Sequence, residues 1–137
     1  MSVGHKLHRV SQIADEAFAA AAAESEVTPR QYAVLQAIAD SERPSQTALV
    51  EKTGIDRSTL ADIVRRLVSK GLIQRRRTRE DARAYAVSLT DKGHAILRNQ
   101  GPAKAANTRI LGALSRGEQA QFEAMLDKII GWTAPTK

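Results

Sequence analysis

Between Ser45 and Lys70, two short stretches of helical periodicity are separated by only three residues, Gly54-Ile55-Asp56. So short a glycine-containing connection makes the two helices cross steeply rather than run side by side. Ser45 is placed to cap the first, residues 46–53, whose inner side is read as Ala48, Leu49 and the stem of Lys52. Asp56 is placed to cap the second, residues 57–70, where Leu60, Ile63, Val64, Leu67 and Val68 recur on one face. Ala48 is small where the helices would cross, and Ile55 is an apolar plug in the turn. Gly71 suits the left-handed conformation that ends a helix. Beyond it the apolar period changes to two. Residues 72–76 and 85–89 read as strands, with Tyr85, Val87 and Leu89 sharing a face. Residues 77–84 are too charged to bury and form the tip of a basic hairpin.

The flanks read as helices. In residues 6–23, Leu7, Val10, Ile13, Ala14, Ala17, Phe18 and Ala21 form one stripe. Thr28, Pro29 and Gln31 make a strong helix start, followed by an apolar stripe of Tyr32, Leu35, Ile38 and Ala39 that stops before Pro44. Thr90 caps a further helix through Ala95, Ile96 and Leu97, which Gly101-Pro102 must break or kink before it resumes to Ala113. Ser115 and Glu118 form a capping box for a last helix carrying Phe122, Met125, Leu126, Ile129 and Ile130 on one side.

Charge is distributed unevenly along the chain. There are 21 Lys+Arg against 15 Asp+Glu, and residues 43–83 alone, with eleven basic and five acidic groups, hold the whole net excess of +6. A polyanion is the natural partner, and nucleic acid is the commonest one. With its leucines and valines inward, the second helix of the pair presents Arg57, Ser58, Thr59, Ala61, Asp62, Arg65 and Arg66 outward. A DNA major groove admits one α-helix, and the N-terminal residues of that helix reach base edges. Ser58, Thr59 and Asp62 are expected to face bases; Arg57, Arg65 and Arg66 either grip guanine bidentately or hold phosphates. Ser45, Gln46 and Thr47, at a capped helix N-terminus, offer backbone donors to a phosphate oxygen. In the hairpin, Arg75 and Arg77 are expected to contact DNA. Arg79 and Arg83 are placed to enter the minor groove, with Asp81 holding Arg83 by a charge-assisted bond.

The order helix, turn, helix, strand, basic loop, strand describes a winged helix-turn-helix. The fold class is therefore mainly α with a small β hairpin. Residues 28–90 are the DNA-binding part, and the helices of 1–27 and 91–137 flank it within a single domain of 1–137. Only 4% of residues are aromatic, so the apolar stripes at both ends suit mutual burial in a homodimer better than a monomeric core.

Particular stretches carry a family likeness. Val27-Thr28-Pro29-Arg30-Gln31-Tyr32-Ala33-Val34-Leu35 resembles the start of the second helix in the MarR (multiple antibiotic resistance regulator) family. Ile55-Asp56-Arg57-Ser58-Thr59, Lys70-Gly71-Leu72-Ile73, the Asp81-Ala82-Arg83 wing and Ser88-Leu89-Thr90-Asp91-Lys92-Gly93 follow the family's other hallmarks in order. The resemblance implies a homodimeric regulator of transcription, usually a repressor, on a pseudo-palindromic duplex operator. It also implies release by a small-molecule effector bound between the DNA-binding and dimer parts. Asp62 departs from the family pattern: an acid there can accept from cytosine or orient Arg66, but it repels phosphate.

Other classes are set aside on chemistry. The chain has no cysteine, which excludes disulfides, thiolate metal sites and thiol nucleophiles. His5 and His8 lie one turn apart without a third ligand, and His94 with Asp91 and Ser88 lacks a nucleophile elbow, so no catalytic residue, metal or cofactor is expected. No apolar run approaches the ~18 residues of a membrane span, and a cytoplasmic protein is expected. The competing readings are a winged-helix module for an acidic protein and a non-specific architectural DNA binder.

Overall fold

The computed structural model describes residues 1–22, 27–77 and 85–132. In chain order the elements are α1 (Val3–Ala21), α2 (Pro29–Ala39), α3 (Gln46–Thr53), α4 (Arg57–Ser69), β1 (Ile73–Arg77), β2 (Tyr85–Leu89), α5 (Asp91–Arg98), α6 (Gly101–Leu111) and α7 (Arg116–Gly131).

Side-chain caps set most of the starts. Helix α1 begins earlier than periodicity predicts because Ser2 Oγ accepts the His5 N–H at 3.1 Å. Thr28 and Gln31 form the expected capping box of α2: Gln31 N donates to Thr28 Oγ1 and Thr28 N to Gln31 Oε1, both at 3.2 Å. Ser45 Oγ caps α3 by accepting the Ala48 N–H at 3.0 Å. Gly54, at φ 72°, closes α3 with the left-handed residue that begins the three-residue turn. Ser115 and Glu118 cap α7 reciprocally.

The break after α5 falls at Asn99 and Gln100, ahead of the predicted Gly101-Pro102. Pro102 instead lies buried in the first turn of α6, where a missing N–H loses no helical bond. Helix α6 also stops at Leu111, short of Ala113.

The core lies between α2, α3, α4 and the hairpin. Val34, Leu35, Leu49, Leu60, Val64, Leu67, Leu72 and Val87 have no solvent exposure. Each such side chain contributes about 1.5–3 kcal/mol of transfer free energy. Two expected inner faces are corrected. In α3, Ala48 is exposed, and Leu49 with half-buried Val50 points inward. In α2, Ala39 is exposed, while Val34, Leu35, Ala37 and Ile38 are buried. Gln31 is buried too and also accepts from Lys70 Nζ at 3.2 Å, so it ties the start of α2 to the end of α4.

The hairpin is antiparallel, with Ile73 opposite Leu89, Arg75 opposite Val87 and Arg77 opposite Tyr85. A third segment joins its edge: Val87 N donates to Pro44 O at 3.0 Å, and Ser45 bridges Ala86. At its base Thr90 Oγ1 donates to Gly71 O at 2.6 Å and accepts the Gly93 N–H at 3.1 Å. A Cβ on Gly93 would collide with the Leu72 carbonyl, so this close approach requires glycine.

Helix α1 packs along α6, and its buried Phe18 meets Tyr32 of α2 edge-on at 5.6 Å. Helix α7 buries no residue; Met125, Ile129, Ile130 and Trp132 are 59%, 64%, 81% and 67% exposed. No helix among the described residues is long and apolar enough to cross a membrane.

Candidate nucleic-acid interface

Helix α4 separates its two faces cleanly. Leu60, Ile63, Val64 and Leu67 are buried. Arg57, Ser58, Arg65 and Arg66 are exposed, and Thr59, Ala61 and Asp62 are half-buried. The α4 residues expected to face outward therefore reach solvent.

Two aspartates organise this face. Asp56, the cap, accepts the Thr59 N–H at 2.9 Å, the Thr59 hydroxyl at 2.8 Å and the Ser58 hydroxyl at 2.9 Å. The Thr59 N–H, then the Thr59 and Ser58 hydroxyls, lower the carboxyl pKa from its ordinary 3.8 to about 2. One turn on, Asp62 holds two guanidinium groups. Arg65 Nη2 donates to its Oδ1 at 3.1 Å and Arg66 Nε to its Oδ2 at 2.9 Å. Such exposed pairs add little stability, and their effect is to orient the arginines. Because Arg66 is held through Nε, its terminal amino groups stay available for a two-point grip.

Ser45 and Gln46 are half-buried and Thr47 is exposed at the start of α3. In the hairpin, Arg75 and Arg77 are exposed and lie on one face, each with its guanidinium over the Tyr85 ring, at 5.7 and 5.8 Å. Pairing of Arg77 with Tyr85 and of Arg75 with Val87 puts these side chains on the same side of the ribbon. Arg79, Asp81 and Arg83 lie outside the described residues.

Sequence reasoning missed two participants. Tyr85 shares the face of Val87 and Leu89 as expected, but at the far end of the strand that face leaves the core, and the ring lies under the two arginines. Cross-strand parity could have revealed the pairing. Periodicity marks Asp56 as a cap alone, although a carboxylate followed at once by Arg-Ser-Thr has two hydroxyls within reach.

Elsewhere a cavity of about 610 Å³ opens between the end of α2, β2 and α5. Its lining includes Ile38, Ser41, Arg43, Val87, Ser88 and His94. Arg43 is held at φ 43°, a left-handed conformation rare for a residue with a side chain. No group of three His, Cys, Asp or Glu side chains suited to a metal occurs among the described residues.

A helical body with a capped helix-turn-helix and a basic two-stranded hairpin defines a winged-helix protein. The MarR family profile matches residues 25–84. The repressor NicR of Pseudomonas putida is 32% identical over 93% of this chain and 82% of its own length. Among solved structures, Bordetella bronchiseptica BpsR, described in terms of regulation of its DNA binding by 6-hydroxynicotinic acid, matches with a TM-score of 0.88. It is 28% identical over 96% of this chain and 95% of its own. A variant of MarR from E. coli complexed with operator DNA matches with a TM-score of 0.84 and 27% identity, over 93% and 92% of the two chains. The chain belongs to the MarR family; it is a transcriptional regulator rather than an enzyme.

Proposed function

We propose that two copies of this chain bind a pseudo-palindromic duplex operator and repress transcription in the cytoplasm until a small molecule releases them. In this reading residues 28–90 meet DNA, and the helices of 1–27 and 91–137 join the copies. Helix α4 enters the major groove, with Ser58, Thr59 and Asp62 toward bases and Arg57, Arg65 and Arg66 on guanine or phosphate. The start of α3, residues 45–47, takes a phosphate, and Arg75 and Arg77 follow the backbone from the hairpin. Arg79, Asp81 and Arg83 complete the wing.

The observation that carries the reading is the exposed face of α4 beside a hairpin whose Arg75 and Arg77 both lie over the Tyr85 ring. The relative solved on operator DNA supports it. Bare apolar side chains on α7 support the dimer, and the relative regulated by a hydroxynicotinic acid supports an effector. For that effector the cavity offers Arg43 and the hydroxyls of Ser41 and Ser88 to a carboxylate, with Glu42 also in its lining, and Ile38 and Val87 to a ring.

Selection of binders from a random duplex pool at near-physiological salt tests the function. An enriched inverted repeat with half-sites about one helical turn apart is expected. With ~8 phosphates contacted, log affinity should fall against log salt with a slope of about −7. Retention without a motif would leave an architectural binder, and no retention would leave a protein-interaction module.

A further inference from the structure

We propose that Asp56 fixes the hydrogen-bonding sense of the first turn of α4, making Ser58 an acceptor in the groove that reads a base bearing an exocyclic amino group. The inference rests on the DNA-reading role of α4 and adds what that helix selects. Adenine N6 and cytosine N4 are the two amino groups a major groove offers.

The sense of these bonds is set by chemistry. An ionised carboxylate has no proton to give, so in the 2.9 Å contact between Ser58 Oγ and Asp56 Oδ1 the hydroxyl is the donor. The same holds at 2.8 Å between Thr59 Oγ1 and Asp56 Oδ2. Both protons are thereby committed inward. A serine hydroxyl has one proton and two lone pairs, so the exposed oxygen of Ser58 presents only lone pairs. Rotating it to donate to a base would break a charge-assisted bond and turn a lone pair toward the carboxylate. Asp56 stays ionised in neutral solution, with its pKa near 2. Guanine O6 and N7 and thymine O4 would oppose acceptor to acceptor, whereas adenine and cytosine complete the bond. The next turn has the opposite character, because Asp62 is occupied by Arg65 and Arg66, which present donors. Helix α4 is thus an acceptor at its start and a donor further along.

The test runs the duplex selection with the full-length wild type, Ser58→Ala and Asp56→Asn. Ser58 is exposed and its hydroxyl bonds to Asp56, so Ser58→Ala should fold normally. Asparagine that caps through its carbonyl oxygen keeps the acceptor shared by the Thr59 N–H and the Ser58 hydroxyl and turns its amide toward Thr59 Oγ1, so Asp56→Asn should leave Ser58 an outward acceptor. One base pair in each half-site should be selected by the wild type and by Asp56→Asn and lose its preference in Ser58→Ala. At that position, purine lacking the 6-amino group or pyrimidinone lacking the 4-amino group then identifies the base. The matching analogue should weaken wild-type binding about tenfold and leave Ser58→Ala nearly unchanged. Wild-type binding unchanged when the amino group of the Ser58-dependent pair is deleted overturns this inference alone, as does an inverted repeat that Ser58→Ala leaves intact. Absence of any inverted repeat overturns the DNA-reading role and this inference with it. Should Asp56→Asn fail to fold, the Ser58→Ala and analogue arms still decide.

Discussion

The stretch from α2 to β2 and the terminal helix α7 solve the same problem in opposite ways. The first closes a core of its own, with eight side chains entirely out of water. The second is capped at its start by Ser115 and Glu118 and yet buries nothing, leaving Met125, Ile129 and Ile130 bare along its side. Caps and periodicity make both helical; only packing separates them. In the proposed dimer the first would meet DNA as a reading unit already folded, whereas the second, as a joining surface, would be finished by its partner.

Breaking the surface should have the largest effect on binding. Met125→Glu with Ile129→Glu is expected to give folded monomers in sedimentation. Operator affinity should drop by about 10²–10⁴, because the second half-site no longer binds intramolecularly. A variant that stays dimeric would put the interface elsewhere.

The core gives the sharpest contrast in stability. Leu60→Ala should lower unfolding free energy by about 2–5 kcal/mol in urea titration. Ile129→Ala, measured as monomer, should stay within about 0.5 kcal/mol of wild type. Equal losses would erase the distinction between the two regions.

Within the reading unit, Arg75→Ala should weaken binding similarly on all sequences and reduce the salt slope by about 1, the signature of a phosphate contact. Loss of base preference instead would move Arg75 into a groove.

The smallest effect is at Asp56. Its folded pKa lies below the ordinary value, so its contribution to stability is present above pH 3.8 and is lost as pH falls toward about 2. The melting-temperature gap between wild type and Asp56→Ala should therefore be constant from neutral pH to about 5 and close in that acid window. A gap that persists at pH 2 would mean the cap acts without its charge.

Capping chemistry is local, so it was legible in the sequence: Thr28, Ser45, Asp56, Thr90 and Ser115 all cap where residue type and spacing place them. The buried stripe of α4 was equally plain, because a full amphipathic period fits within one helix. Misreadings came where burial depends on a distant element. The pattern of α3 puts Ala48 and the stem of Lys52 inward with Leu49, but α3 is too short for its period to separate them, and Ala48 and Lys52 are both exposed. Pro102 marked the helix break, yet the chain turned at Asn99 and Gln100, so that proline could lie in the next first turn. The site's residue types were readable; the Tyr85 stack and the double grip of Asp62 needed register and rotamers that no linear pattern supplies.

Pro44 and Ser45 hold the edge of β2 while Ser45 also starts α3, so one anchor serves both the hairpin and the crossed helices. Through that anchor the hairpin and the crossed helices are tied to one another. In the proposed dimer the adjustable quantity would be the gap between two heads, as between the jaws of a caliper. Release would then come from wrong spacing with the reader intact, and the liganded protein would keep its grip on a single half-site.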